Sequence, residues 1–125
     1  MGITMEQLAI KGHSSRGKEV IEILEMLGSK NKYNVDAIRS HHVYFIENGI
    51  ISTLKINQIL PNQFTIFTLE EFLEKFPYKV GDRVMIPEYE SEVRICKMHW
   101  DGYEVRYMVY RCDEEEYYLA DELND

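Results

Sequence analysis

Asp101-Gly102 stands between two runs of alternating side chains, residues 92–100 and 103–110. An Asp-Gly pair in that setting favours a two-residue antiparallel turn, because both residues tolerate positive φ. Such a turn fixes the register. It sets Trp100 opposite Tyr103, Met98 opposite Val105 and Cys96 opposite Tyr107 on one apolar and aromatic face. His99 then meets Glu104 and Lys97 meets Arg106 on a solvated face, while farther out Ile95 joins Met108 and Val93 joins Tyr110. Apolar pairs on both faces imply a small barrel, or a sheet on which another part of the chain docks. Gly81-Asp82 opens its first strand over residues 83–86, and residues 87–91 form a polar loop. Tyr117, Tyr118 and Leu119 make another strand, and Leu123 plugs one end.

Upstream, residues 3–10 read as one or two helical turns with Thr4 as N-cap. Residues 16–27 read as an amphipathic helix, with Val20, Ile23, Leu24 and Leu27 on one stripe and Gly28 as its C-cap. A short helical turn at residues 35–39 precedes a hairpin, in which Asn48-Gly49 joins strands 42–46 and 50–54. Residues 64–67 form a third strand. Thr68 and Glu71 then make a capping box, stapled by Phe67 and Phe72, for a helix that Pro77 ends. The fold class is therefore α+β. An N-terminal αβ module (helix, β-hairpin, strand, helix) spans residues 1–78 and packs on an antiparallel β-barrel at residues 79–125.

Charge narrows the function. Of the net −8, residues 1–78 hold 8 Lys and Arg against 9 Asp and Glu, whereas residues 79–125 hold 6 against 13. A barrel of net −7 has the wrong sign for gripping phosphates, so no direct nucleic-acid binding is expected. No apolar run is long enough to cross a bilayer and no secretory leader pattern opens the chain, so the expectation is a cytoplasmic protein without a membrane partner. Cys96 and Cys112 are too few for a disulfide framework, and Cys96 reads as a buried reduced thiol.

Three segments carry a resemblance: RGKEVIEILEMLG at residues 16–28, FTLEEFLEKFPYKVGDRV at 67–84 and MHWDGYEVRYMV at 98–109. Together they resemble a group of small, uncharacterised proteins encoded by phages and prophages of gut Bacteroides-type bacteria. That group shares an N-terminal αβ segment, the TLEEFLEKFP helix and a variable barrel opening with V-G-D-[KR]-V. The resemblance implies a mobile-element origin and brings no catalytic residue with it. The C-terminal part is also similar to SH3/Tudor-like barrels, which implies binding by analogy of fold. Pro87-Glu88-Tyr89-Glu90 departs from that pattern in replacing a glycine-containing turn.

No motif supports catalysis. His41 and His42 are adjacent on a strand and point to opposite faces, so they do not converge on a metal. His13 lies beside Ser14 and Ser15 with no acid nearby in sequence to orient it, and no G-x-S-x-G accompanies it. His99 opposite Glu104 reads as a surface pair. Gly12 and Gly17 lack the strand and spacing of a phosphate loop. The chain is accordingly expected to be non-enzymatic, with no cofactor and no metal. It reads as a module that binds a protein not identified by the sequence. Its candidate binding residues are the exposed rings Tyr89, Tyr103 and Tyr118 and the acidic run Asp113, Glu114, Glu115 and Glu116. The alternative is an acidic anti-defence inhibitor that imitates nucleic-acid phosphates towards a basic host protein.

Overall fold

The computed structural model describes residues 6–124. Two helices and two four-stranded sheets make up a mixed α+β chain. The segment expected as helical turns is strand β1 (Gln7–Lys11), and the Thr4 cap lies outside the described residues. β1 is flanked on both sides, antiparallel to β2 (His42–Glu47) and parallel to β4 (Phe64–Phe67), with β3 (Ile50–Lys55) outside β2. Leu8 and Ile10 enter the main core with Val20 and Leu24, and Ala9 packs on the opposite face with Val43, Phe45 and Phe64. A strand buried on both faces has no polar alternation, so its three apolar residues carry no period to read.

Helix α1 (Gly17–Met26) buries Val20, Ile21, Ile23 and Leu24, and the chain leaves it through Gly28 at φ 116°. A single 3-10 turn, Val35–Ala37, stands where a turn of helix was expected. The hairpin between β2 and β3 turns on Asn48 (φ 54°) and Gly49 (φ 79°), the type I′ geometry that its sequence demands. Helix α2 (Leu69–Lys75) has both halves of its capping box. The Glu71 N–H donates to Thr68 Oγ1 at 3.1 Å, and the Thr68 N–H donates to Glu71 Oε1 at 3.0 Å.

The second sheet is an antiparallel meander: β5 (Arg83–Ile86), β6 (Ser91–Trp100), β7 (Val105–Arg111) and β8 (Glu114–Tyr118). Among the described residues it does not close by strand pairing. A 3-10 turn at Ala120–Glu122 brings the chain back, Leu123 is buried, and Asn124 bridges Met85 of β5 through N–H···O bonds of 2.6 and 2.9 Å. The register of β6 on β7 is displaced by two residues from the expected one: Trp100 faces Val105, Met98 faces Tyr107 and His99 faces Arg106. The cause is local. A type I′ turn needs positive φ at both central residues, and only Gly102 (φ 102°) adopts it, whereas Asp101 does not. Instead Asp101 Oδ1 accepts the N–H groups of Tyr103 and Glu104, each at 2.8 Å, and spans a four-residue loop. The tight turn lies at the other end of the meander, where Cys112 (φ 54°) and Asp113 (φ 64°) join β7 to β8.

A β-bulge at Cys96 interrupts the β6–β7 register between Ile95 and Lys97. The extra residue puts Cys96 and Lys97 on the same outward side, so the expected buried thiol is exposed, as is Cys112. One hydrophobic cluster contains residues of both sheets and both helices. No described helix is long and apolar enough to cross a membrane. At the turn from β1 into α1, a β-carbon on Gly12 would collide with the carbonyl oxygen of Arg39 and press on the Tyr44 ring. Gly12→Ala is therefore expected to destabilise the protein by about 3 kcal/mol, as overpacking at a rigid backbone contact does, measured by urea unfolding.

Candidate functional site

The meander places the expected binding residues at its two ends. Tyr89 stands in the β5–β6 turn, at the same end as Asp113 and Glu114 in and after the β7–β8 turn. Tyr103 projects from the β6–β7 loop at the far end of the ten-residue strand β6, 70% exposed. Tyr118, expected as an exposed ring, is buried and faces Tyr107. The acidic run, expected as a solvated loop, begins strand β8 at Glu114.

A residue that sequence reasoning passed over ties several of these together. The Arg111 guanidinium donates to both carboxylate oxygens of Glu116, at 2.8 and 2.9 Å, and lies 3.8 Å from the centre of the Tyr89 ring. The Tyr118 hydroxyl donates to Glu116 Oε1 at 2.8 Å. On the opposite face the hydroxyls of Tyr110 and Tyr117 donate to Glu115 at 3.1 and 3.4 Å. The face of Tyr89 is thus occupied by the chain's own cation, and two of the four acids are engaged internally. The available signal was the five-residue spacing of Arg111 and Glu116 across a turn, which makes them diagonal neighbours on a hairpin.

A concavity lies elsewhere among the described residues. A groove of about 710 Å³ runs between the C-terminal half of α1 and strand β6, lined by Glu22, Glu25, Met26, Leu27, Lys79, Val80, Met98, His99 and Tyr117 among others. A smaller depression of about 240 Å³ continues it past Leu27 and His99 to Trp100 and Ile46. The groove exists because β6 outruns β5. Pairing with β5 ends at Arg83–Arg94, and the Gly81-Asp82 turn adds two bonds to Ile95. Beyond that point, among the described residues, β6 pairs with β7 alone.

Ladder parity settles which backbone groups face the groove. The Asp101 N–H donates to the Glu104 carbonyl, so Lys97 and His99 direct their N–H and C=O groups at β7. Met98 and Trp100 therefore direct theirs away from β7, to the open edge. Met98 is 4% exposed and its side chain belongs to the core, so its main chain is what meets the groove. Trp100 anchors the far end. Its indole N–H donates to the Glu6 carbonyl at 2.9 Å, and its ring meets Phe67 edge-on at 6.1 Å.

The structure also supplies the acid that His13 lacked in sequence. His13 Nδ1 accepts the Ser15 N–H at 3.3 Å and lies 3.1 Å from Ser15 Oγ, while Nε2 lies 3.5 Å from Glu70 Oε1. Arg16 Nη1 approaches the same Glu70 oxygen at 3.5 Å. These contacts tie the loop before α1 to the start of α2, beside a depression of about 320 Å³. His41 precedes β2 and its ring meets that of His42 edge to face at 4.5 Å, so the two do not point to opposite faces of a strand as expected; no cluster of metal-ligating side chains occurs among the described residues.

No family model, no curated protein and no solved structure matches the chain.

The hydrogen bonds from Arg111, and then from Tyr118, hold the Glu116 carboxyl below the usual 4.5. A depressed carboxyl contributes stability that is present above the unfolded-state value and lost as pH falls through the folded one. The unfolding free energy is thus expected to decline below about pH 4.5 with a slope to which Glu116 contributes. In Glu116→Gln the protein is less stable at neutral pH and its acid slope is shallower, measured by urea unfolding across that range.

Proposed function

We propose that this chain is a non-enzymatic protein-binding module of a phage or prophage, and that the groove between α1 and β6 is where it binds. The groove carries the reading. It is a concavity of about 710 Å³, its lining includes apolar Met26, Leu27 and Val80, and it borders the open edge of β6. In this reading the C-terminal sheet works as an SH3-like module, with the Met85–Asn124 bridge drawing its ends towards closure. The setting is cytoplasmic and the partner is a host or phage protein.

The acidic reading has one observation in its favour, the net −7 of residues 79–125. Against it, Glu115 and Glu116 already accept internal hydrogen bonds, leaving Asp113 and Glu114 as the acids of that run without a side-chain partner among the described residues. A phosphate mimic needs free, spaced carboxylates.

Capture from host lysate at low and high salt separates the two. The groove reading expects proteins retained at high salt and lost with Val80→Glu, which places a charge on a half-exposed groove residue. The acidic reading expects capture that salt abolishes and that Asp113→Lys with Glu114→Lys eliminates. Capture unchanged by Val80→Glu refutes the groove.

A further inference from the structure

We infer that the groove takes an extended segment of its protein partner as an added strand on β6, and that this segment carries a basic residue towards Glu22 and Glu25. The inference rests on the reading of the groove as the binding site and specifies how the groove recognises its partner.

The free edge supplies the first argument. By ladder parity Met98 and Trp100 each turn an N–H and a C=O towards the groove, and neither makes a backbone hydrogen bond on that side among the described residues. Unpaired strand edges are templates for another strand, and folds normally cover or charge them. Here the outer edge of β8 carries Glu114, Glu115 and Glu116, and the outer edge of β5 is bridged by Asn124. The end of β6 has no bridging segment among the described residues, and Lys97 is its one charged residue. It opens on apolar Met26, Leu27 and Val80, which suit the alternate side chains of an incoming strand.

Charge supplies the second. Glu22 and Glu25 line the helix wall and have no ion pair among the described residues. They stand on the C-terminal half of α1, whose last turn contains no basic residue, so the helix dipole adds to their negative potential. Two lysines share the groove, Lys97 on the strand wall and Lys79 next to Val80, so an incoming cation is directed to the stretch of the helix wall that carries Glu22 and Glu25. A lysine or arginine of the added strand completes both carboxylates.

The test uses the full chain labelled with ¹⁵N and a positional-scanning hexapeptide library, in which each position in turn is fixed as Lys, Glu, Ile or Gly. Lys-fixed pools are expected to bind best and to slow hydrogen exchange at the Met98 and Trp100 amides. Methylating alternate backbone nitrogens of a bound peptide is expected to abolish that protection. Glu22→Gln with Glu25→Gln is expected to weaken binding about tenfold, as loss of a charge-assisted contact does, with a melting temperature that does not fall. Binding that survives backbone methylation, preference for Glu-fixed pools, or protection absent from Met98 and Trp100 overturns strand addition. Failure of every pool, while Val80→Glu still abolishes lysate capture, overturns strand addition and leaves groove binding standing. Capture indifferent to Val80→Glu removes both.

Discussion

Phe67 holds the two halves of this protein together. It ends β4, staples the start of α2 and reaches the second sheet, meeting Phe72 at 6.0 Å, Phe76 at 5.7 Å and Trp100 at 6.1 Å, each edge to face. Edge-to-face pairs add about 0.5–1.5 kcal/mol each beyond the area they bury, so this ring joins both sheets and α2 at one point. The indole N–H of Trp100 on the Glu6 carbonyl sets the distance between β1 and the end of β6. Farther along the seam, the buried Tyr107 hydroxyl accepts the Tyr78 N–H at 3.3 Å, and the Tyr78 hydroxyl donates to the Leu123 carbonyl at 3.3 Å. Burial raises the Tyr107 phenol far above its ordinary range, so it stays a neutral hydrogen-bonding group.

The groove follows from that seam and from unequal strand lengths. β5 has four residues and β6 has ten, so half of β6 projects past its neighbour. A projecting strand needs something behind it, and the seam positions α1 there at the distance of a groove. The bulge at Cys96 resets the parity of the strand beyond it, which is why Met98 and Trp100 direct their main chains to the open side. Without the extra residue the parity would be reversed, and Lys97 and His99 would present their backbone instead.

Part of the expected binding surface is engaged in internal contacts. Arg111, Glu116, Tyr118 and Tyr89 form one connected network at the closed end of the β7–β8 hairpin, and Glu115 holds two tyrosine hydroxyls on the other face. That end of the meander is consolidated, and a ligand there would have to displace contacts that stabilise the hairpin. Tyr103 remains exposed but stands alone at the far end.

The sequence by itself determined the elements whose reasons are local. The Thr68–Glu71 box, the Asn48-Gly49 turn and the stripe of α1 each depend on residues within a few positions of one another, and each formed where its pattern placed it. Tertiary structure decided the rest. β1 is a strand because β2 and β4 flank it, and no short apolar run reveals neighbours that arrive more than thirty residues later. The β6–β7 register turned on whether the Asp101 carboxylate would hold a wide loop or the backbone a tight one, a choice that the shared Asp-Gly pair leaves open. The groove is the least legible feature. It is the place where one strand ends before its neighbour and a helix from the other half of the chain stands opposite, a relation between distant elements that no single stretch of residues encodes.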